Sequence, residues 1–157
     1  MMKFLINLQN KPGPRCILTI TVLGFVHFWK LTIEMVDLLK KLNYKGQQRI
    51  AVVNADDRFL EYLASELKGV QIDRTIDQRF PYEFMIMFVR LFYEVELLAP
   101  KALHNLTSDG VLWFGYPKKT SKKVSSDIDR DHGWEVLIDR GFDKVRLISL
   151  DLSLIHI

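Results

Sequence analysis

Residues 49–54, RIAVVN, and residues 55–69, ADDRFLEYLASELKG, decide the fold. The first is a short β-branched run bounded by Lys45-Gly46 before it and by Ala55-Asp56-Asp57 after it, the pattern of a strand buried on both faces. In the second, Phe59, Leu60, Leu63, Ala64 and Leu67 recur at helical spacing. Asp56 or Asp57 stands where a helix cap belongs, and Gly69 where the helix stops.

Outward from this unit the alternation continues. Residues 70–75 (VQIDRT) alternate as a second, more exposed strand, and residues 83–89 (EFMIMFV) are nearly all apolar, which predicts a central third strand. Only residues 76–82 separate the two, too few for a full crossover helix. Residues 93–106 carry a second helical pattern, which Pro100 is expected to divide into two short helices. Asp109-Gly110 turns into a fourth strand at residues 111–116 (VLWFGY), which Pro117 stops. After a lysine-rich loop, Asp129 or Asp131 caps a helix through Trp134, Val136, Leu137 and Ile138 that Gly141 ends, and residues 144–150 (KVRLISL) form a fifth strand. The expected fold is α/β, a small doubly wound, mostly parallel five-stranded sheet.

Composition sets the outer bounds. A chain of 157 residues, 48% hydrophobic and 26% charged, suits one globular domain. Its single cysteine, Cys16, excludes an internal disulfide and a four-cysteine zinc site, and makes a cytoplasmic location the default. Residues 1–34 read separately. The apolar run at residues 16–29 (CILTITVLGFVHFW) is shorter than the roughly 20 residues a membrane span needs, and no small-x-small cleavage site follows it. Pro12-Gly13-Pro14 breaks the chain and Met35 offers a second start, so residues 1–34 are expected to be upstream sequence and residues 35–151 the domain. Residues 152–157 (LSLIHI) are the peptide that one frame of a common sequencing-library transposon end encodes, so an adaptor-derived tail is expected to replace the natural continuation.

The third to fifth strands, within EFMIMFV, SDGVLWFGYP and DRGFDKVRLISLD, resemble the second half of the class I methyltransferase sheet. In detail, residues 39–46 (LKKLNYKG), 52–55 (VVNA), 109–114 (DGVLWF), 116–119 (YPKK) and Asp127-Ile128 resemble an uncharacterised bacterial family, a domain of unknown function of methyltransferase-like, Rossmann-like shape. The resemblance spans residues 38–151, about three quarters of the chain. It implies a last strand lying antiparallel between the fourth and fifth strands counted here. The chain departs from the family pattern at Leu152, which implies that this strand is missing and two edges are left unpaired.

Open parallel sheets bind ligands beyond the carboxyl ends of their strands, where strand order reverses. Two loops qualify. Asn54-Ala55-Asp56-Asp57 stands where a cofactor-binding relative carries a glycine-rich turn, yet it has no glycine and two aspartates that disfavour a phosphate and crowd a methionyl carboxylate. As a helix cap it needs no further role. If S-adenosylmethionine binds here, Asn54, Asp56 and Asp73 are the cofactor-binding candidates, Asp73 lying 19 residues beyond Asn54, near the spacing of a ribose-gripping acid. The alternative for Asp73 is an exposed strand position.

The second loop carries Lys118, Lys119, Thr120, Ser121, Lys122 and Lys123 after the fourth strand, ammonium and hydroxyl groups suited to an anion, though without the P-loop pattern. A solvated lysine-rich turn is the alternative. These features favour a non-catalytic domain that binds an anionic small molecule or a protein partner, with a methyltransferase of atypical cofactor loop as the second reading. Nucleic acid lacks an aromatic platform here. Calcium fails at the Asp127-Asp129-Asp131 run because its sixth position is His132 and its twelfth Ile138. His104 and His132 have no partner at metal-site or triad spacing, so no metal is expected.

Overall fold

The computed structural model describes residues 2–10, 38–117 and 125–151. Strand β1 (Met2–Asn10) is followed, after a helical turn at residues 38–41, by β2 (Arg49–Val53), α1 (Asp57–Glu66) and β3 (Gln71–Asp73). Then come β4 (Tyr82–Phe88), α2 (Phe92–Asn105), β5 (Leu106–Pro117), the single turn α3 (Glu135–Ile138) and β6 (Phe142–Asp151). The six strands form one sheet in the order β3-β2-β4-β5-β1-β6. The first four are mutually parallel, and β1 is antiparallel to both of its neighbours.

The sheet therefore has six strands where five are expected. The additional one, β1, comes from the segment that the sequence sets apart. It occupies the slot between the fourth and fifth expected strands, so Leu5 pairs with Gly115 on one side and with Ile148 on the other. Residues 11–37 and 152–157, including the apolar run and the terminal hexapeptide, lie outside the described residues. No helix among the described residues is long and apolar enough to cross a membrane.

Period-two alternation divides the core into two layers. Ile50 and Val52 of β2, Phe84, Ile86 and Phe88 of β4, and Val111 and Trp113 of β5 face α1 and the turn at residues 38–41. Ala51 and Val53, Met85 and Met87, Leu112 and Phe114 face α2, Ile128, Trp134 and Leu137. Burial on both faces explains why these strands read as continuous apolar runs. Trp113 is fully buried and donates its indole N–H to the carbonyl of Leu42 at 2.8 Å, tying the segment before β2 to a strand 71 residues later.

Three local expectations are corrected. Pro100 does not divide its helix: α2 runs unbroken from Phe92 to Asn105 with the proline inside it. Pro100 lies on the exposed side, as does Glu96, whose carbonyl the missing N–H leaves to water. Neither Asp129 nor Asp131 caps α3, which starts at Glu135 after an N-cap position taken by Trp134. The fourth expected strand is also longer, because Asp109-Gly110 is an irregularity within β5 instead of its boundary. Between Tyr82/Phe84 the partners jump from Leu106 to Val111. A Cβ on Gly110 would stand 2.6 Å from Leu106 Cδ1, which is why this position lacks one.

Trp113→Phe should lower stability by about 2–4 kcal/mol, from lost volume and a stranded buried carbonyl at Leu42. Urea unfolding checks this: the midpoint is expected to fall with the slope unchanged, and an unchanged midpoint would show that the Leu42 bond contributes nothing.

Candidate functional site

Strand order reverses between β2 and β4, so the crevice where such sheets hold ligands lies beyond Val53 and Phe88. Asn54 follows β2 directly, is exposed, and takes φ 57°, the left-handed conformation that a glycine adopts in cofactor-binding turns. An asparagine thus takes a backbone conformation usually left to glycine. Asp56 is the N-cap of α1 and accepts from the Phe59 amide at 3.0 Å.

The matching helix start beyond β4 is filled in the same way. Glu94 reaches back to accept from the amides of Arg90 at 2.6 Å and Leu91 at 3.0 Å, and Asp127 accepts from the Phe92 amide at 2.7 Å. Helix starts attract anions because their first amides have no partners in the helix. Here the chain's own carboxylates take part of that set, the Phe59 amide of α1 and the Phe92 amide of α2, together with the two amides just before α2. Ser126 adds a hydroxyl bond to the Arg90 carbonyl at 2.7 Å, fixing the segment after the lysine-rich loop against the start of α2.

Asp73 ends β3 but lies level with Ala51, short of the crevice, and its carboxylate is committed to the first residues of β2 and β4. It accepts from Arg49 Nε at 2.6 Å, from the Tyr82 hydroxyl and from Gln71 Nε2 at 2.9 Å, and only 15% of its side chain is exposed. Arg49 also reaches Asp77 at 3.0 Å and stacks its guanidinium 4.3 Å above the centre of the Phe80 ring. The Asp77 amide donates to the Tyr82 hydroxyl at 3.1 Å. Asn105 Nδ2 bridges the carbonyls of Asp77 and Phe80 at 3.1 and 3.0 Å. This network ties down residues 74–81, the helix-free strap that leads from β3 to β4.

Burial pushes the Asp73 carboxyl up, but bonds from Tyr82, Gln71 and Arg49 outweigh it and hold the group below its ordinary range. Asp77 is lowered too, by the Arg79 amide and then by Arg49. Tyr82 is raised above the usual phenol value by burial and by its bond to Asp73.

The run of three aspartates does not converge. Asp127 serves α2, Asp129 accepts from the amides of Asp131 and His132 and from His132 Nδ1, and Asp131 lies 3.6 Å from Lys144. Among the described residues no three His, Cys, Asp or Glu side chains are grouped to hold a metal ion. Lys118, Lys119, Thr120, Ser121, Lys122 and Lys123 lie outside the described residues. Their flanks are placed, since β5 ends at Pro117 on the carboxyl edge and, after the chain resumes at Ser125, Ser126 bonds to Arg90. A shallow cleft of about 360 Å³ at the opposite edge, among Lys45, Glu83, Ser108 and Asp109, sets two carboxylates against one ammonium and does not suit an anion.

Sequence reasoning missed Arg49, Tyr82, Glu94 and Asp127. For Glu94 a cue existed, an acid at the third position of a helix, but the N-cap is Leu91 in place of a serine or threonine.

The signs of these shifts predict how the strap responds to pH. Lowered carboxylates contribute stability that is present above the ordinary carboxylate range and lost as pH falls through their depressed values; the raised Tyr82 contributes stability lost as pH climbs through its own elevated value. Asp73→Asn should therefore melt below the parent at pH of about 7, with the gap closing below a pH of about 4. Thermal unfolding across that range is the check, and a gap independent of pH would contradict it.

No protein-family model, curated protein or solved structure matches this chain.

Proposed function

We propose that the chain is a Rossmann-like, non-catalytic domain that binds an anionic small molecule or an acidic protein partner at the loop of Lys118, Lys119, Thr120, Ser121 and Lys122. The observation that carries this reading is the occupation of both helix starts at the crevice by Asp56, Glu94 and Asp127. With those amides taken, the helix starts at the crevice have fewer donors left for a cofactor's carboxylate or phosphate. In the sequence, four lysines follow Pro117, the last residue of β5. Ammonium groups and hydroxyls on a loop are suited to phosphate or sulfate as point charges and donors.

Two observations keep a second reading in view, an S-adenosylmethionine-dependent methyltransferase of atypical cofactor loop. One is Asn54 in the left-handed turn after β2. The other is a strand order with one antiparallel strand next to the edge, which supports the methyltransferase-like shape. In that reading Asn54 and Asp56 contact the cofactor, and Asp73 must leave Arg49 to do so.

Calorimetry of the full chain with inorganic phosphate, and separately with S-adenosylmethionine, decides between them. Binding heat with phosphate that Lys118→Ala combined with Lys119→Ala abolishes is the expected result. Heat with S-adenosylmethionine alone, unchanged in that variant, would overturn the proposal and install the second reading.

A further inference from the structure

The exposed face of α2 is apolar in a pattern that folding does not use. Four large apolar side chains are exposed among the described residues; two of them, Tyr93 at 55% and Leu97 at 58%, lie four residues apart on this helix. Pro100 and His104 continue the same stripe and are also exposed. At 100° per residue these four fall within about 60° of one another, while the buried Val95, Ala99 and Ala102 point into the core.

Written as a heptad, the stripe occupies successive core positions, with Tyr93 and Pro100 at d and Leu97 and His104 at a. Glu96 then falls at g and Lys101 at e. Both are exposed, and neither has a charged partner among the described residues. A g residue and the e residue five positions later belong to opposite flanks of one helix, so they cannot pair with each other. They meet across a two-fold axis that runs parallel to the helices, because that axis sets one flank against the partner's opposite flank. In an antiparallel pairing g flanks face g flanks and e flanks face e flanks, so Glu96 and Lys101 would not meet. The two flanks are therefore complementary to a second copy of the chain lying parallel and in register.

We propose that α2 is a self-association surface: two copies of this chain pair through α2, parallel and in register. Leu97 meets its counterpart at the centre, and Glu96 of each copy bonds to Lys101 of the other. A contact of one 14-residue helix falls short of the roughly 1,200 Å² of a standard stable interface, so the dimer is a weak one that forms at high concentration.

Sedimentation equilibrium of the full chain up to hundreds of micromolar is the test. Wild type is expected to dimerise; Glu96→Lys alone and Lys101→Glu alone should each weaken association by roughly ten-fold, and the double reversal should restore it. In a Cys16→Ser background, Leu97→Cys should form a disulfide-linked dimer on mild oxidation, as the meeting of Leu97 with its counterpart requires. A wild type that stays monomeric, a double reversal no better than the singles, or a Leu97→Cys chain that fails to cross-link would each overturn the proposal. These side chains are exposed, so an unchanged melting temperature in the variants separates loss of association from loss of folding.

Discussion

A parallel crossover without a helix must cover its sheet by other means, and here a single guanidinium organises the cover. The connection from β3 to β4 passes over β2, and its eight residues lay Ile76 and Phe80 against the same layer as Ala51, Val53 and Tyr82. Loose chain over a sheet would carry unsatisfied backbone groups into a dry region. Arg49 prevents this by holding Asp73 and Asp77 at the two ends of the turn while Phe80 closes over it. Asn105, from the end of α2, donates to the carbonyls of Asp77 and Phe80. With the strap fixed, the connection lies opposite to α1, as two right-handed crossovers in opposite directions require.

That arrangement bears on function as well as on folding. Asp73 stands at the carboxyl end of β3, where a ribose-binding acid would stand, and it is spent on the strap. Asp56, Glu94 and Asp127 are spent in the same way on helix starts. At the carboxyl edge, where open parallel sheets bind ligands, part of the donor set is taken by the chain's own carboxylates. Fold and activity are separable for this reason: the same frame supports binding, catalysis or neither, depending on which donors its own side chains leave open.

Most of the frame is legible in the residues. Buried parallel strands announce themselves as apolar runs at residues 49–54 and 83–89, and α1 by its spacing and cap, because these patterns are local and periodic. Features set by distant pairing are not legible. Nothing around Arg49 points to an aspartate 24 residues away, and nothing in residues 2–10 shows that they pair with β5 and β6 at the far end of the chain. Pro100 reads as a break because its missing bond is visible in the sequence, whereas the solvent that tolerates the loss is not. The loop at Asn54 was half legible: the absent glycine is plain, while the left-handed backbone that asparagine accepts in its place appears only in three dimensions.

Hydrogen exchange at the strap tests the central claim most directly. The amides of Asp77, Arg79 and Phe80 are bonded to Tyr82, to the Asp77 side chain and to the Asp77 carbonyl. In Arg49→Met, which keeps an apolar stem over Phe80 but removes the charge, these amides should exchange at least roughly ten-fold faster than in the parent, with those of α1 unchanged. Equal protection of the strap in both chains would show that Arg49 does not hold it.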